Sequence, residues 1–409
     1  MGVLQVDHPD ILEFIGAKEN PSELTNFNIS VGLTEEFMKA VEKNIAYPMI
    51  NPRTGDAVRK RKARMVFDRI VEAAWRSGEP GILFLDRINR DQPTPKLGRI
   101  EATNPCGEQP LLPYEACNLG SINLNKTLIE KNGRVSIDYA HLERTIKIAI
   151  RFLDNIIDLN YYPLPQIEKM TQGNRKIGLG VMGWADLLIQ KRIPYDAPEA
   201  LALADEVMGF IQTKAREASE ALAKERGVFP NFSKSIFDCP GGKRLRNSTV
   251  TTIAPTGTLS IIAGCSGGIE PLYGVHYLRT TMDNVRLIET HPVFLKLARS
   301  KKFYSRRLMN LLAQTETIQD IKIIPKEIRR LFVTAHDIRP EAHVRMQVAF
   351  QRHTDNAVSK TVNFPKDATK LQVREVFLLA YREGLKGVTI YRSGSRDRQV
   401  LTCTSTQYC

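Results

Sequence analysis

Short segments apolar on both faces alternate with amphipathic helical stretches along this chain, and that alternation limits the fold more than any other feature. Four runs read as strands: "NISV" at 28–31, "ILFL" at 82–85, "VTTIA" at 250–254 and "VTIY" at 388–391. Several of these are apolar on both faces, as expected for strands covered on both sides in parallel sheets packed under helices. The helices follow from their period. Over Ala63–Ser77, Val66, Phe67, Ile70, Val71 and Ala74 share one face, and Gly78 is the stop. Leu142, Ile146, Ile150, Leu153 and Ile157 mark a second helix, ended before Pro163. Pro198 opens a long alanine-rich helix that Gly227 closes. Val373–Glu383 form another, after which Gly384 turns the chain into its last strand. The pattern predicts an α/β fold with parallel segments, as an open sheet or a barrel.

With 409 residues, 42% hydrophobic and 25% charged, the chain has the composition of a soluble globular protein. No apolar run is long enough to span a bilayer. The opening "MGVLQVDHPD" has no signal-peptide pattern and lacks the Ser/Thr that myristoylation needs. A cytoplasmic protein is expected. The net charge of +13 points to an anionic partner, either nucleic acid or a phosphorylated small molecule, or else to lysine and arginine enrichment for solubility. Six cysteines without a C-x-x-C pair argue against a disulfide framework and a zinc ribbon. Seven scattered histidines predict no metal site.

"IGLGVMG", with Gly178, Gly180 and Gly183, matches G-x-G-x-x-G, but polar "KMTQGNRK" precedes it where a dinucleotide fold needs a strand. These glycines are read as allowing tight helix packing. In "IAPTGTLSIIAG", residues 253–264, a small polar loop precedes an apolar stretch. If that stretch is helical, its N–H groups face the loop and suit an anion; an ordinary N-cap is the plainer reading. The basic run "VRKRKAR" at 58–64 reads as a solvated face, with nucleic acid second.

The segment "EATNPCGEQPLLPYEACNLGSINL", residues 101–124, carries chemistry. Pro105 and Gly107 put Cys106 on a turn, where a side chain is presented rather than packed. Asn104 and Glu108, two residues away on either side, can share its face in an extended backbone. Cys117 returns beside Cys106 if "QPLLPYEA" makes a finger-like loop. A carboxylate beside the sulfur raises the thiol pKa, which is wrong for a nucleophile. It suits a sulfur that carries a hydrogen atom, with the glutamate handling a substrate proton and the second thiol supplying reducing equivalents.

These residues resemble the ribonucleotide reductases, most closely the adenosylcobalamin-dependent class II enzymes. The resemblance runs through "DHPDILEFI", "ELTNFNISV", the Cys106 segment, "RKIGLGVMGWADLL", "IAPTGTLSIIAGCSGGIEP", "HTDNAVSKTVNFP" and "GVTIYRSGSR". It implies a ten-stranded α/β barrel of two parallel half-barrels around a finger loop. Residues 1–395 would form the catalytic barrel and 396–409 a tail. It implies that Cys106 is the transient thiyl, Glu108 the base on the 3′ hydroxyl, Asn104 a substrate holder and Cys117 half of the redox pair. Thr103 and the Pro255, Thr256, Gly257, Thr258, Leu259 loop would contact substrate and its phosphates. Glu19, Asn20, Glu23 and Asn26 belong to the stretch resembling the loop that relays effector identity. The single Tyr391 stands where class I chains have adjacent tyrosines, and Glu108 is usually lacking in the glycyl-radical class; both favour cobalamin.

The resemblance further implies reduction of ribonucleotides, diphosphates by family habit, with nucleotide effectors and a thioredoxin-type or dithiol reductant. The family's first redox cysteine lies upstream of "DHPDILEFI", so an incomplete barrel is expected, inactive alone and paired with an N-terminal reductase polypeptide or oligomeric. Cys403 and Cys409 are either the start of a reducing tail or an unrelated ending. The competing readings are a class I type large subunit, a non-catalytic partner that keeps the fold, and a nucleic-acid-binding module. Neither membrane nor nucleic acid is the expected partner.

Overall fold

The computed structural model describes residues 1–20, 22–280, 286–395 and 401–402. Its sheet system is two sets of parallel segments meeting at one antiparallel seam. The first set is β1 (Gly2–Gln5), β2 (Ile29–Leu33) and β3 (Gly81–Phe84), paired in that order. The second begins with β4 (Asn118–Asn123) parallel to β5 (Ile177–Met182). Parallel bridges Leu179–Thr251 and Ile253–Val358 carry it through residues 249–254 to the segment leading into β6 (Thr361–Phe364). β6 then pairs in parallel with β7 (Gly387–Arg392), and β7 runs antiparallel to β3. Among the described residues, β1 and β4 each pair along one edge only, so the ring is open between them.

Helices cover both sets. Ala63–Ser77 and Lys370–Arg382 pack over the first, in a core that includes Phe67, Ile70, Phe377, Val31 and Ile390. Tyr139–Leu159 and Pro198–Arg226 pack over the second, with Ile146, Ile150, Leu179 and Val207 buried. Helix Pro340–Gln351 joins the cores, sending Val344 and Val348 into one and Met346 and Phe350 into the other. The expected ends of the first and third helices hold because their terminal chemistry is explicit. Gly78 closes Ala63–Ser77 in the left-handed region, and Pro198 occupies the first helical turn of Pro198–Arg226. A capping box between Thr369 and Gln372 starts the last helix three residues earlier than its apolar period indicates.

Three expectations need correction. Gly178 and Gly180 pack strand on strand, not helix on helix. A Cβ at Gly180 would lie 2.2 Å from the Thr252 carbonyl oxygen, and one at Gly178 would lie 2.6 Å from Thr252 Cγ2. Residues 250–254 make only bridges, at Thr251 and Ile253, instead of a continuous strand. The Thr256 side chain is no N-cap: helix Gly257–Ala263 receives no cap bond from it, and its Oγ1 instead accepts from Gly268 N–H at 2.8 Å. The basic run forms the exposed strand Ala57–Lys62 of an outer hairpin.

Candidate active site

Cys106 sits at the tip of a short hairpin. Ala102–Thr103 pairs antiparallel with Pro110–Leu111. Between them Gly107, at φ +81°, donates its N–H to the Asn104 carbonyl at 3.1 Å. That positive φ favours glycine. The Asn104 backbone N–H donates to the Gln109 carbonyl at 3.1 Å, and its side-chain Oδ1 accepts from Gln109 N–H at 3.0 Å. Thr103 is buried, and its hydroxyl donates to the Asn104 carbonyl at 2.9 Å. The hairpin is anchored at Glu108, whose carbonyl accepts from Ala357 N–H at 2.9 Å and from the Thr252 hydroxyl at 3.0 Å. A finger between the two strand sets results.

The turn separates the environments of thiol and carboxylate. Cys106 is exposed, on the wall of a cavity of about 550 Å³. Glu108 is 2% exposed, and its Oε2 has no hydrogen-bond partner among the described residues. Burial pushes the Glu108 carboxyl up, against a side-chain hydrogen bond from Asn104. Burial also pushes the Cys106 thiol up, and the Glu108 carboxylate adds to it. Burial is thus the larger cause, and the carboxylate expected to raise the thiol contributes second. Cys117 is pushed up further, mainly by burial; Lys176 opposes this, and Glu115 and Glu108 add to it. The Glu108 carboxylate therefore acts on both thiols.

The remaining expected residues lie apart from the cavity wall. Gly257, Thr258 and Leu259 are exposed and Thr256 is buried; with Pro255, none is among the described residues lining the cavity. They continue the 249–254 segment whose Thr252 holds the finger. Glu19 pairs with Arg76 at 2.7 Å, Asn20 donates to Glu23 at 2.9 Å, and Asn26 is exposed. Cys403 and Cys409 fall outside the described residues. Among those residues, no cluster of three or more metal-ligating side chains occurs.

The cavity also holds a charged group that local patterns did not single out. Lys360 and Glu270 both line it and form an ion pair. The Lys360 ammonium also reaches His343 Nδ1 at 2.9 Å and donates to the Thr361 carbonyl at 2.8 Å. The His343 Nε2 lies 3.2 Å from the Ala335 carbonyl, an acceptor, so the proton is on Nε2 and Nδ1 accepts from Lys360. Burial, then the lysine charge, hold His343 well below the usual histidine range. Both motifs, "GIEP" and "SKTV", were visible, but nothing local links residues so distant in sequence.

The family model described as the barrel domain of ribonucleotide reductase matches residues 1–238 and 242–391. A vitamin B12-dependent ribonucleoside-diphosphate reductase of Thermoplasma acidophilum is 47% identical over 403 residues, covering 98% of this chain and 52% of that protein. One of Mycobacterium tuberculosis is 49% identical over 403 residues, covering 98% of this chain and 57% of that protein. The chain thus spans about half the length of these curated relatives. The alpha subunit of a class Id ribonucleotide reductase from Actinobacillus ureae shares the fold, with a TM-score of 0.77 at 20% identity over 96% of this chain and 70% of that one. With the family model matching nearly end to end, and a thiol-tipped finger set between two parallel strand sets, the chain belongs to the ribonucleotide reductase family through its barrel domain.

Proposed function

We propose that this chain carries the catalytic barrel of a cobalamin-dependent enzyme that reduces ribonucleoside diphosphates to deoxyribonucleotides. The observation that carries the reading is the Cys106 thiol presented to a cavity with the Glu108 carboxyl buried behind it. A hydrogen-atom carrier must keep its S–H bond at neutral pH, and burial and the Glu108 carboxylate both act in that direction. In this reading Cys106 takes the 3′ hydrogen of the ribose. Glu108 takes the 3′ hydroxyl proton, for which a raised carboxyl pKa suits a general base. Asn104 orients Glu108 and substrate, beside Thr103. Cys117 is one half of the redox pair whose two thiols together give two electrons for reduction at C2′ and are left as a disulfide. The Pro255–Leu259 loop holds the substrate phosphates, and the loop bearing Glu19, Asn20, Glu23 and Asn26 relays effector identity.

The site suits adenosylcobalamin because the Cys106 thiol is exposed on the cavity wall, the accessibility that a hydrogen-atom donor to an organic radical requires. Adenosylcobalamin, if bound, would supply radical chemistry at the Cys106 sulfur. The protein's part is to exclude water and fix the sulfur. Names of the relatives support this choice of cofactor. A thioredoxin-type or dithiol reductant would restore the redox pair, with residues 396–409 as the tail of a barrel spanning 1–395, in the cytoplasm.

The ten-stranded barrel then needs strands from outside residues 1–409, seated between β1 and β4 and supplied in cis or by an N-terminal reductase polypeptide. The open edges support this, as does Phe152, which is 60% exposed and lines a surface pocket together with residues of β4. The test is cobalamin-dependent reduction of ribonucleoside diphosphates, with and without the N-terminal polypeptide. Turnover that needs both the cofactor and Cys106 supports the reading. Turnover retained by Cys106→Ala overturns it.

A further inference from the structure

The segment entering β2 and the tip bearing Cys106 are joined directly. Asn28 Nδ2 donates to the carbonyl of Pro105, the residue before Cys106, at 3.1 Å. Asn28, Pro105 and Cys106 line the same cavity. The preceding loop is strapped shut just behind Asn28. The Lys18 ammonium forms an ion pair with Glu79, with both side chains largely buried, and donates to the Phe27 carbonyl at 2.9 Å. Glu79 also accepts from Ile29 N–H at 3.3 Å. One cation thus closes residues 18–27 into a loop whose exit is Asn28.

The finger is weakly restrained where Asn28 touches it. Its ladder has two residue pairs, and its anchors to Ala357 and Thr252 hold Glu108, beyond the turn. Pro105 has no N–H to offer, so its carbonyl is the handle its backbone presents.

We infer that Asn28 is a positioning residue that couples the conformation of loop 17–26 to the placement of the Cys106 sulfur. The inference rests on reading Cys106 as the reactive thiol and adds a route by which that loop acts on it. Movement of the loop either breaks the Lys18 strap or carries the Phe27 carbonyl with it. Asn28 is the next residue, so its amide shifts and the Pro105 carbonyl follows. A single hydrogen bond adjusts reactivity by a modest factor and does not act as an on–off switch.

A double-mutant cycle on the full chain tests this without cofactor or turnover. The readout is the rate of Cys106 alkylation by iodoacetamide at fixed pH, resolved by site with mass spectrometry. Asn28→Ala frees the tip and raises the rate roughly three- to ten-fold, the range for one lost hydrogen bond. Lys18→Met opens the strap and raises it by a similar factor; Glu79→Gln does the same by a second route should Lys18→Met fold poorly. With Asn28→Ala already present, neither strap variant changes the rate further, because the path is gone. Multiplying effects in the double variants overturn the inference. So does a general loss of thermal midpoint in Asn28→Ala that accounts for its rate. A failed cycle leaves the reductase reading standing, whereas turnover by Cys106→Ala sinks that reading and leaves the measured coupling intact.

Discussion

Lys176 and Glu115 form an ion pair at 2.7 Å with both side chains almost wholly out of solvent. The same ammonium donates to the Pro110 carbonyl at 3.2 Å, while Glu115 accepts from Leu112 N–H at 2.9 Å and from Asn174 Nδ2 at 2.6 Å. The pair clamps the descending leg of the finger to the start of β5. Removing one partner strands a buried charge. Lys176→Met is expected to cost about 3–5 kcal/mol in urea denaturation, and the double variant with Glu115→Leu to recover part of it.

Glu108→Gln separates function from stability. With Glu108 as the proposed base, turnover of the reconstituted enzyme should fall roughly 10²–10⁴-fold, the range for a lost general base. Stability moves the other way. The folded carboxyl pKa is raised, so its contribution is fully present below the unfolded carboxyl pKa and is lost as pH rises through the folded one. The variant escapes that loss. Its thermal midpoint should exceed the wild type by about 1–2 °C at pH 8, and the difference should vanish near pH 4.

The Cys106 thiol supplies a pH test of its own. With the folded pKa raised by burial and by Glu108, alkylation is slow at pH 7 and rises about ten-fold per unit as far as pH 9. Glu108→Gln removes the adjacent negative charge, lowers the thiol pKa and speeds alkylation at pH 8. No change in rate would mean that the two groups are electrostatically independent.

Cys117→Ser should stop multiple turnovers with a dithiol reductant while leaving the first hydrogen abstraction intact. Single-turnover product and tritium release from a 3′-labelled substrate, measured together, distinguish the two.

Gly180→Ala places a methyl 2.2 Å from the Thr252 carbonyl oxygen, so β5 and the 249–254 segment must separate. A loss of at least about 1–3 kcal/mol is expected, read from the urea midpoint. Because Thr252 also holds the Glu108 carbonyl, the finger should loosen, and Cys106 alkylation should rise in parallel.

Helix positions were legible because capping and period are local. The strands were legible where apolar and β-branched residues cluster, as in the continuously apolar run ending Gly81–Phe84 and in the Val388, Thr389, Ile390, Tyr391 run of Gly387–Arg392. "NLGSIN" and "IGLGVM" hide strands, since glycine lowers strand propensity, and here Gly180 makes room for the neighbouring Thr252 backbone and Gly178 for the Thr252 side chain. Cys106, Asn104 and Glu108 could be grouped because two-residue spacing shows in the sequence itself. Lys360 with Glu270, Lys176 with Glu115, and Asn28 with Pro105 could not, because each pair is made by the fold across long stretches of chain.

The antiparallel seam has a consequence for synthesis. Leu83 finds its partner only when Gly387 has been made, and Ile82 waits for Val388. During translation the flank of β3 stays raw until the chain has been made as far as Gly387, so the two strand sets form before the seam between them can close. A stop codon before position 387 would leave an unsealed strand on each side of that join, and the product would clump in the cell instead of folding.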